Sequence, residues 1–260
     1  SSYCQSMPGI SNALFDLCGG AACAVRKLFP RTIFHAPDSS FASHSAEPKD
    51  DTLGVLKQKT LEEKIVGFAF DGDADRVVAV DSGRVIDGAV LGAFACARHL
   101  KRGDSVVLTI DCPDEVYSFL RDEGFTVYYS AVGDVNVLKK VEETHAAFSF
   151  ERSGHYAFSK HMIYSDGIYA AAVLSNTRPG ELISFAKQFT NVSLITAVPG
   201  KADFPRLAKL IQEKNPLGIE TLDGVKARFD DYCVLIRASQ TEPKIRVNVE
   251  AKTNALAKKG

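Results

Sequence analysis

The chain has 260 residues, 45% of them hydrophobic and 24% charged, a composition that can bury a core and a length typical of two or three domains. Its formal net charge is −1, from 31 basic and 32 acidic residues, which leaves no basic surplus for binding nucleic acid or an anionic membrane. Six cysteines without Cys-x-x-Cys spacing, no apolar run of about 18 residues and no signal peptide predict a cytoplasmic protein with free thiols.

Hydrophobic patterning predicts an α/β unit in the first third of the chain. A strand that breaks on a glycine pair is followed by a helix, a loop rich in Pro, Ser, Asp and His, a second helix and a buried strand. These predicted elements cover residues 13–20, 21–28, 36–51, 53–64 and 65–70. The last strand leads directly into an acidic motif.

Three carboxylates stand at alternate positions in this motif, Asp71-Gly72-Asp73-Ala74-Asp75-Arg76. Because the intervening residues are small, Asp71, Asp73 and Asp75 can turn toward one point, and all-oxygen ligation suits Mg²⁺, Ca²⁺ or Mn²⁺. An EF-hand needs Gly at the sixth and Glu at the twelfth position, where this chain has Arg76 and Ser82. An acidic β-turn is the alternative, although three converging carboxylates repel one another without a cation. Arg76 is expected to meet a phosphate that also touches the metal.

A serine and a histidine stand side by side in the predicted loop, at Ser43 and His44. Such a pair invites a nucleophile interpretation. Adjacent residues of an extended segment point to opposite sides, so the two side chains need not meet. We therefore interpret them as loop residues.

A second α/β unit is predicted between residues 85 and 190. Its expected helices cover residues 87–100, 113–123, 134–145, 166–175 and 179–189, and its strands cover 105–110 and 126–132. Pro113 and Gly124 are typical of the start and end of a helix, and Asp134 is the expected cap of the next one.

A polar turn, Glu151-Arg152-Ser153-Gly154-His155, follows a further strand of this unit at residues 147–150. Glu151 can accept hydrogen bonds from two vicinal sugar hydroxyls, while Ser153 and His155 can donate or accept. Polar residues are also common at strand ends, so the motif alone leaves a structural role open.

The pattern differs after residue 190, where strands, a helix and a short C-terminal helix at 253–259 predict a small α+β domain. The helix is expected at 203–214, and the strands at 193–198, 225–229, 232–236 and 245–249.

Between the last two of these strands lies a second polar motif, Arg237-Ala238-Ser239-Gln240-Thr241-Glu242-Pro243, with Arg246 beyond it. Two arginines, two hydroxyls and loop amides suit a phosphate dianion. A polar hairpin with exposed arginines is the alternative.

Together the three motifs resemble those of the α-D-phosphohexomutases, the family of phosphomannomutases, phosphoglucomutases and phosphoglucosamine mutases. Asp71 to Arg76 resembles the metal loop, Glu151 to His155 the sugar-recognition loop, and Arg237 to Pro243 the phosphate-binding loop. The resemblance implies a fold of two successive α/β layer domains followed by a small α+β C-terminal domain. They would cover residues 1–84, 85–190 and 191–260, corresponding to the second, third and fourth domains of the family.

The resemblance also implies Mg²⁺ as cofactor and a phosphosugar as ligand. Asp71, Asp73 and Asp75 would hold the metal, with Arg76 beside it as a catalytic residue. The expected substrate-binding residues are Glu151, Ser153 and His155. The expected phosphate-binding residues are Arg237, Ser239, Gln240, Thr241 and Arg246. Two departures from the family pattern are Phe150 before Glu151, where Gly is usual, and Gln240, where Gly or Asn is usual.

Members of the family carry their phosphoryl group on a serine of a first domain, which we expect to be missing from this sequence. Ser43 aligns better with a loop of the second domain, and we do not assign it this role. We therefore expect little turnover from the chain alone.

Three hypotheses remain open at the level of sequence. The chain is part of a mutase of glucose or mannose type whose first domain is supplied separately, as another polypeptide, or is lost by truncation. Alternatively, it is a non-catalytic phosphosugar-binding module, or a regulatory subunit that pairs with a full-length homologue. The residues do not decide between glucose, mannose and glucosamine phosphates.

Overall fold

The computed structural model describes residues 2–42, 44–239 and 243–258, and within them the strands form three sheets. The first sheet consists of β1 Leu14–Asp16, β2 Thr32–Ile33, β3 Gly67–Phe70, β4 Val77–Asp81 and β5 Arg84–Val85. Its order is β2-β1-β3-β4-β5, with β1 parallel to both neighbours and β4 antiparallel to β3 and β5. The carboxyl ends of β1 and β3 therefore meet at one edge.

Helices α1 Ser2–Ser6 and α2 Gly54–Glu63 accompany this sheet. The α2 prediction is confirmed to within a residue at each end. The helix predicted at 21–28 is wrong in type, because Ala21–Leu28 is a 3-10 helix with non-helical angles at Val25. It begins after Gly20, which offers no side-chain cap, and β-branched Val25 has a weak helix propensity.

The second sheet has the order β7-β6-β8-β9 and consists of β6 Ser105–Thr109, β7 Thr126–Ser130, β8 Phe148–Phe150 and β9 Tyr156–Phe158. Strand β6 is parallel to both β7 and β8. The loops after these three strands consequently emerge at the same edge, where ligands bind in open α/β sheets.

The second unit has five helices within the described residues: α3 Gly88–His99, α4 Asp114–Asp122, α5 Asp134–Thr144, α6 Gly167–Leu174 and α7 Glu181–Ala186. All five were predicted, but the cap of α5 was wrong. Gly133 is the cap, with φ of 110°, and Asp134 is the first helical residue without a capping hydrogen bond. Helix α7 is shorter than predicted because Gly180, which is left-handed, begins it.

The third sheet is entirely antiparallel, in the order β10-β14-β13-β12-β11. Its strands are β10 Val192–Pro199, β11 Gly218–Glu220, β12 Val225–Arg228, β13 Tyr232–Ala238 and β14 Lys244–Ala251. Helices α8 Phe204–Gln212 and α9 Asn254–Ala257 complete this unit. The short strand β11 was not predicted.

One hydrophobic core runs through the first two units, and it includes Phe15, Phe68, Phe94, Leu108 and Phe148. The third unit has a small core of its own around Val234 and Val249. Within the described ranges, no helix is long and apolar enough to cross a membrane.

Polar groups join the third unit to the second. Lys226 is 2% exposed, and its Nζ donates to the carbonyl oxygens of Ile110 at 3.0 Å and Cys112 at 2.9 Å. The backbone N–H of Asp114 donates to Glu250 Oε2 at 2.9 Å. Since these groups are buried and paired, they fix the third unit against the edge of the second sheet.

Candidate functional site

The acidic motif forms the loop between antiparallel strands β3 and β4. Ligand oxygens of Asp71, Asp73 and Asp75 all lie within 4.8 Å of one another. Asp71 is buried at the end of β3, whereas Asp73 is exposed. Ala74 takes a left-handed conformation with φ of 65°, which bends the loop so that the three carboxylates converge, as predicted.

Close backbone contacts hold this loop in place. Because β1 and β3 end at the same edge, the N–H of Ala21 donates to the Gly72 carbonyl at 2.9 Å. A Cβ atom on Gly20 would lie 2.4 Å from that carbonyl oxygen, and one on Gly167 would lie 2.7 Å from the Arg76 oxygen. Glycine is therefore required at both positions.

Arg76 contacts the acidic cluster itself. Its Nε donates to Asp71 Oδ2 at 2.6 Å and its backbone N–H donates to Asp71 Oδ1 at 3.2 Å. Burial raises the pKa of Asp71, and the hydrogen bonds from Arg76 oppose this shift. The sequence did not reveal this pairing, which partly neutralises the cluster; the predicted catalytic role of Arg76 stays a prediction.

The sugar-recognition motif lies directly beside the acidic loop. The N–H of Val77 donates to the Gly154 carbonyl at 3.0 Å, and His155 Nε2 lies 3.4 Å from Asp75 Oδ1. Ser153 Oγ is 2.9 Å from His155 Nδ1, which is 3.6 Å from Glu151 Oε1. The structure thus brings together Glu151, Ser153 and His155 with the three aspartates.

Glu151 is 4% exposed, and its Oε1 has no hydrogen-bond partner in the described parts of the chain. Burial raises its pKa to about 7, while the nearby His155 opposes the shift. An unpaired buried carboxyl oxygen is costly in the absence of a ligand. Its position suits a group that donates a hydrogen bond.

Asp134 is a further site residue that the sequence did not single out as one. Its Oδ1 lies 3.8 Å from His155 Nε2, and the ligand atoms of Asp75, Asp134 and His155 are also within 4.8 Å of one another. Asp134 follows β7 and Glu151 follows β8, which are both parallel to β6. Only the strand order could have predicted their proximity.

Within the described part of the chain, two sets of residues could therefore hold a metal ion. The set Asp71, Asp73 and Asp75 offers only carboxylate oxygens, the ligands that Mg²⁺ prefers. The set that includes His155 offers an imidazole nitrogen, which suits transition ions better. The donor chemistry of the acidic loop therefore fits Mg²⁺.

Two of the predicted phosphate-binding residues, Arg237 and Arg246, line a cleft of about 350 Å³. Arg237 on β13 and Arg246 on β14 are cross-strand neighbours. The lining also includes Asp111, Arg152, Ile195, Leu235 and Asn248. Arg152 comes from the sugar-recognition motif, so the cleft lies between the second and third units.

Donors of Arg237 are buried in this cleft without hydrogen bonds. Nε and Nη2 of Arg237 and Oγ of Ser239 have no hydrogen-bond partner among the described residues, although Nη2 lies 2.9 Å from Asp223 Oδ2 in an ion pair. The predictions for Gln240 and Thr241 fall outside the described residues. Asp111, Arg152 and Asn248 were missed, since each belongs to the cleft only through the docking of two units.

Ser43 lies outside the described residues, so only His44 of this pair is placed by the structure. His44 is buried, and its Nε2 lies 3.1 Å from Asp16 Oδ2. The close contact with the Asp16 carboxylate raises the pKa of His44 to about 10. His44 therefore anchors the loop to the end of β1.

Solved structures of phosphohexose mutases share this arrangement of two mixed sheets and an antiparallel sheet. The fold matches that of a phosphoglucomutase/phosphomannomutase family protein from Burkholderia thailandensis with a TM-score of 0.84, at 21% identity over 99% of this chain and 60% of that chain. It also matches the N-acetylphosphoglucosamine mutase of Aspergillus fumigatus, solved in complex with GlcNAc-6P and magnesium, with a TM-score of 0.63 at 17% identity. That match covers 99% of this chain and 66% of the fungal one.

Sequence comparison is more specific. Residues 88–180 match the domain described as phosphoglucomutase/phosphomannomutase, alpha/beta/alpha domain III, and residues 194–260 match the C-terminal domain of the same description. The chain therefore belongs to the phosphoglucomutase/phosphomannomutase family.

Curated relatives share up to about a third of the aligned residues. The chain is 35% identical over 235 residues to a probable phosphoglucosamine mutase of Methanocella arvoryzae, covering 86% of this chain and 52% of the relative. It is 33% identical over 238 residues to the phosphoglucosamine mutase of Desulforamulus reducens, covering 86% and 51%. The chain thus spans about half the length of these relatives.

Proposed function

We propose that this chain provides the metal, sugar and phosphate sites of a phosphohexomutase, which interconverts a hexose 1-phosphate and a hexose 6-phosphate. The observation that carries the proposal is the cleft lined by Arg237 and Arg246, in which the buried Nε of Arg237 has no hydrogen-bond partner among the described residues. Unpaired buried donors are costly, and a phosphate dianion satisfies them.

Each motif has one task in this proposal. Arg237, Ser239 and Arg246 bind the phosphate that is not reacting. Glu151, Ser153 and His155 hold the ring hydroxyls, and the contact between His155 and Asp75 brings that ring to the acidic loop. Arg76, which is 28% exposed, balances charge as the phosphoryl group crosses.

The acidic loop is the proposed magnesium site. Asp71, Asp73 and Asp75 would hold Mg²⁺, which when bound neutralises charge on the transferred phosphoryl group. The pairing of Arg76 with Asp71 lowers the negative charge of the loop when no cation is bound.

The proposal does not specify which hexose the substrate contains. The resemblance implied a glucose or mannose type, although the residues themselves do not decide the sugar. Two similar relatives are named phosphoglucosamine mutases. The shared chemistry is a hexopyranose that carries a phosphate at carbon 1 or carbon 6.

A carrier of the phosphoryl group is also required. We assign no serine of residues 1–260 to this role, so the proposed partner is a domain with the phosphoserine, either elsewhere in the same protein or on another polypeptide. The isolated chain is then expected to bind substrate with little turnover.

Turnover measurements test this proposal. The purified chain is assayed with glucose 1-phosphate, mannose 1-phosphate and glucosamine 1-phosphate in Mg²⁺, with and without the first domain of the Methanocella arvoryzae relative. We expect conversion only when both polypeptides are present. Conversion by the chain alone, at a rate that follows its concentration, would contradict the need for a carrier domain. Phosphosugar binding that never leads to turnover would instead favour a non-catalytic binding module or a regulatory subunit.

A further inference from the structure

The phosphate cleft contains hydrogen-bond acceptors as well as donors. Oδ1 of Asp111 and Oδ1 of Asn248 are buried, and neither has a hydrogen-bond partner in the described ranges. Both residues line the cleft with Arg237 and Arg246. Oxygens of a phosphate dianion are acceptors themselves, so phosphate satisfies the arginines and leaves these two oxygens unpaired.

The orientation of Asn248 is fixed by its neighbour. Its Nδ2 donates to Glu250 Oε1 at 3.1 Å, and the other oxygen of Glu250 accepts from the backbone of Asp114 at 2.9 Å. Because the ionised carboxylate of Glu250 can only accept, the amide nitrogen faces it and the amide oxygen faces away. Asn248 therefore offers an acceptor to the cleft.

Asp111 is held in position by a buried lysine. Lys226 Nζ donates to the carbonyl oxygens of Ile110 and Cys112, the residues on either side of Asp111. This clamp fixes the backbone at the carboxyl end of β6. The carboxylate at this position is preorganised for a ligand.

The charge of Asp111 is not neutralised by the arginines that share its cleft. Arg237 forms an ion pair with Asp223 at 2.9 Å, and Arg152 forms one with Asp87 at 3.0 Å. No ion pair to Asp111 exists within the described residues. A ligand that satisfies both the arginines and Asp111 needs an anionic group and a cationic donor close together.

We propose that Asp111 is a specificity-determining residue that binds the ammonium group of a 2-amino-2-deoxyhexose 1-phosphate, with Asn248 as a second acceptor. The inference rests on the proposed function, since Arg237 and Arg246 must hold the phosphate. In such a sugar, the amino-bearing carbon is bonded to the phosphate-bearing carbon. In a 6-phosphate, the amino group is on the far side of the ring, so Asp111 recognises the ammonium in one of the two binding orientations.

Calorimetric titration tests this selectivity. Glucosamine 1-phosphate, glucose 1-phosphate and the two corresponding 6-phosphates are titrated into the purified chain at slightly acidic pH, where the amine is protonated. We expect glucosamine 1-phosphate to bind about tenfold more tightly than glucose 1-phosphate, the strength of a charge-assisted hydrogen bond. The two 6-phosphates should differ much less.

Two matched variants complete the experiment. Asp111→Asn should remove the preference for the amino sugar while glucose 1-phosphate still binds, which also shows that the variant folds. Asp122→Asn removes the same charge from an exposed position on α4. It should leave the affinities for all four sugar phosphates unchanged.

If wild type and Asp111→Asn prefer glucosamine 1-phosphate over glucose 1-phosphate to the same degree, the inference is overturned and the proposed function is left intact. A preference for N-acetylglucosamine 1-phosphate over glucosamine 1-phosphate would also overturn it, because the acetylated nitrogen carries no charge. If the wild-type chain binds none of the four ligands, the proposed function is overturned, and the inference with it.

Discussion

Burial controls the charge of Glu151, the first residue of the polar turn Glu151–His155. Its side chain is 5% exposed, and desolvation raises its pKa from the ordinary 4.5 to about 7. Between these two values the folded chain keeps a proton that the unfolded chain has lost. The free energy of unfolding therefore falls as the pH rises through this window, and the contribution is complete only below it.

Glu151→Gln is expected to remove this part of the pH dependence. From about pH 5 to about pH 8, the wild-type chain should lose on the order of 3 kcal/mol more unfolding free energy than the variant does. Denaturant unfolding at the two pH values measures the difference. The control is Glu142→Gln on the exposed face of α5, which should follow the wild type. If the unfolding free energies of wild type and Glu151→Gln change in parallel with pH, Glu151 is not a protonated carboxyl in the folded chain.

Contiguous motifs were predictable at this scale, and dispersed residues were not. Asp71, Asp73 and Asp75 are close in sequence, and their small neighbours allow only a tight loop, so their convergence followed from the pattern. Asp111 and Asp134 follow different strands, and only the sheet order places them at one edge. The direction of a side chain, such as that of Arg76 toward Asp71, is set by packing that the sequence pattern does not contain.

The acidic loop and the polar turn Glu151–His155 are joined where strand β4 begins. The Gly154 carbonyl accepts from Val77, and Arg76 pairs with His155 in an isolated antiparallel bridge. Gly154 has φ of +102°, and a Cβ atom there would lie 2.9 Å from the Val77 carbonyl oxygen. The acidic loop and the polar turn Glu151–His155 therefore share a backbone contact that only glycine permits.

Gly154→Ala is expected to separate the two loops. The matched control is Gly103→Ala, where φ is +91° and a Cβ atom meets nothing within 4 Å. Both variants lose stability through backbone strain, of about 1 kcal/mol, but only Gly154→Ala should also weaken Mg²⁺ binding. Thermal unfolding and Mg²⁺ titration measure the two effects. Equal Mg²⁺ affinity in both variants would show that the contact does not position the acidic loop.

Elements with a long periodic pattern were predicted well, and short ones poorly. The predicted α2 and α3 agree with the structure to within a residue at each end. Strands β2 and β5 have two residues each, too few to show an alternating pattern. The 3-10 helix was misassigned because its composition resembles that of an α-helix, and hydrogen bonding alone distinguishes the two.

Docking of the third unit on the second creates the phosphate cleft. Besides the Lys226 clamp, Arg228 Nη2 donates to the Tyr129 hydroxyl at 3.0 Å, and its guanidinium lies 4.6 Å from the centroid of the Tyr117 ring. A lysine that will be buried looks like a surface lysine in the sequence. The sequence therefore predicted three units, whose boundaries stay a prediction, but not how the last two meet.

The most direct test of the account is a calorimetric titration of the purified chain with glucose 1-phosphate and mannose 1-phosphate, with and without Mg²⁺. Wild type is compared with Arg237→Ala and with Arg206→Ala, a control on the exposed face of α8. We expect hexose phosphate to bind to wild type and to Arg206→Ala, and binding to Arg237→Ala to weaken at least about tenfold, since a charge-assisted contact to phosphate is lost. Equal binding by all three proteins would contradict a phosphate site at Arg237, and no binding by wild type would contradict the assignment of the cleft to a phosphosugar.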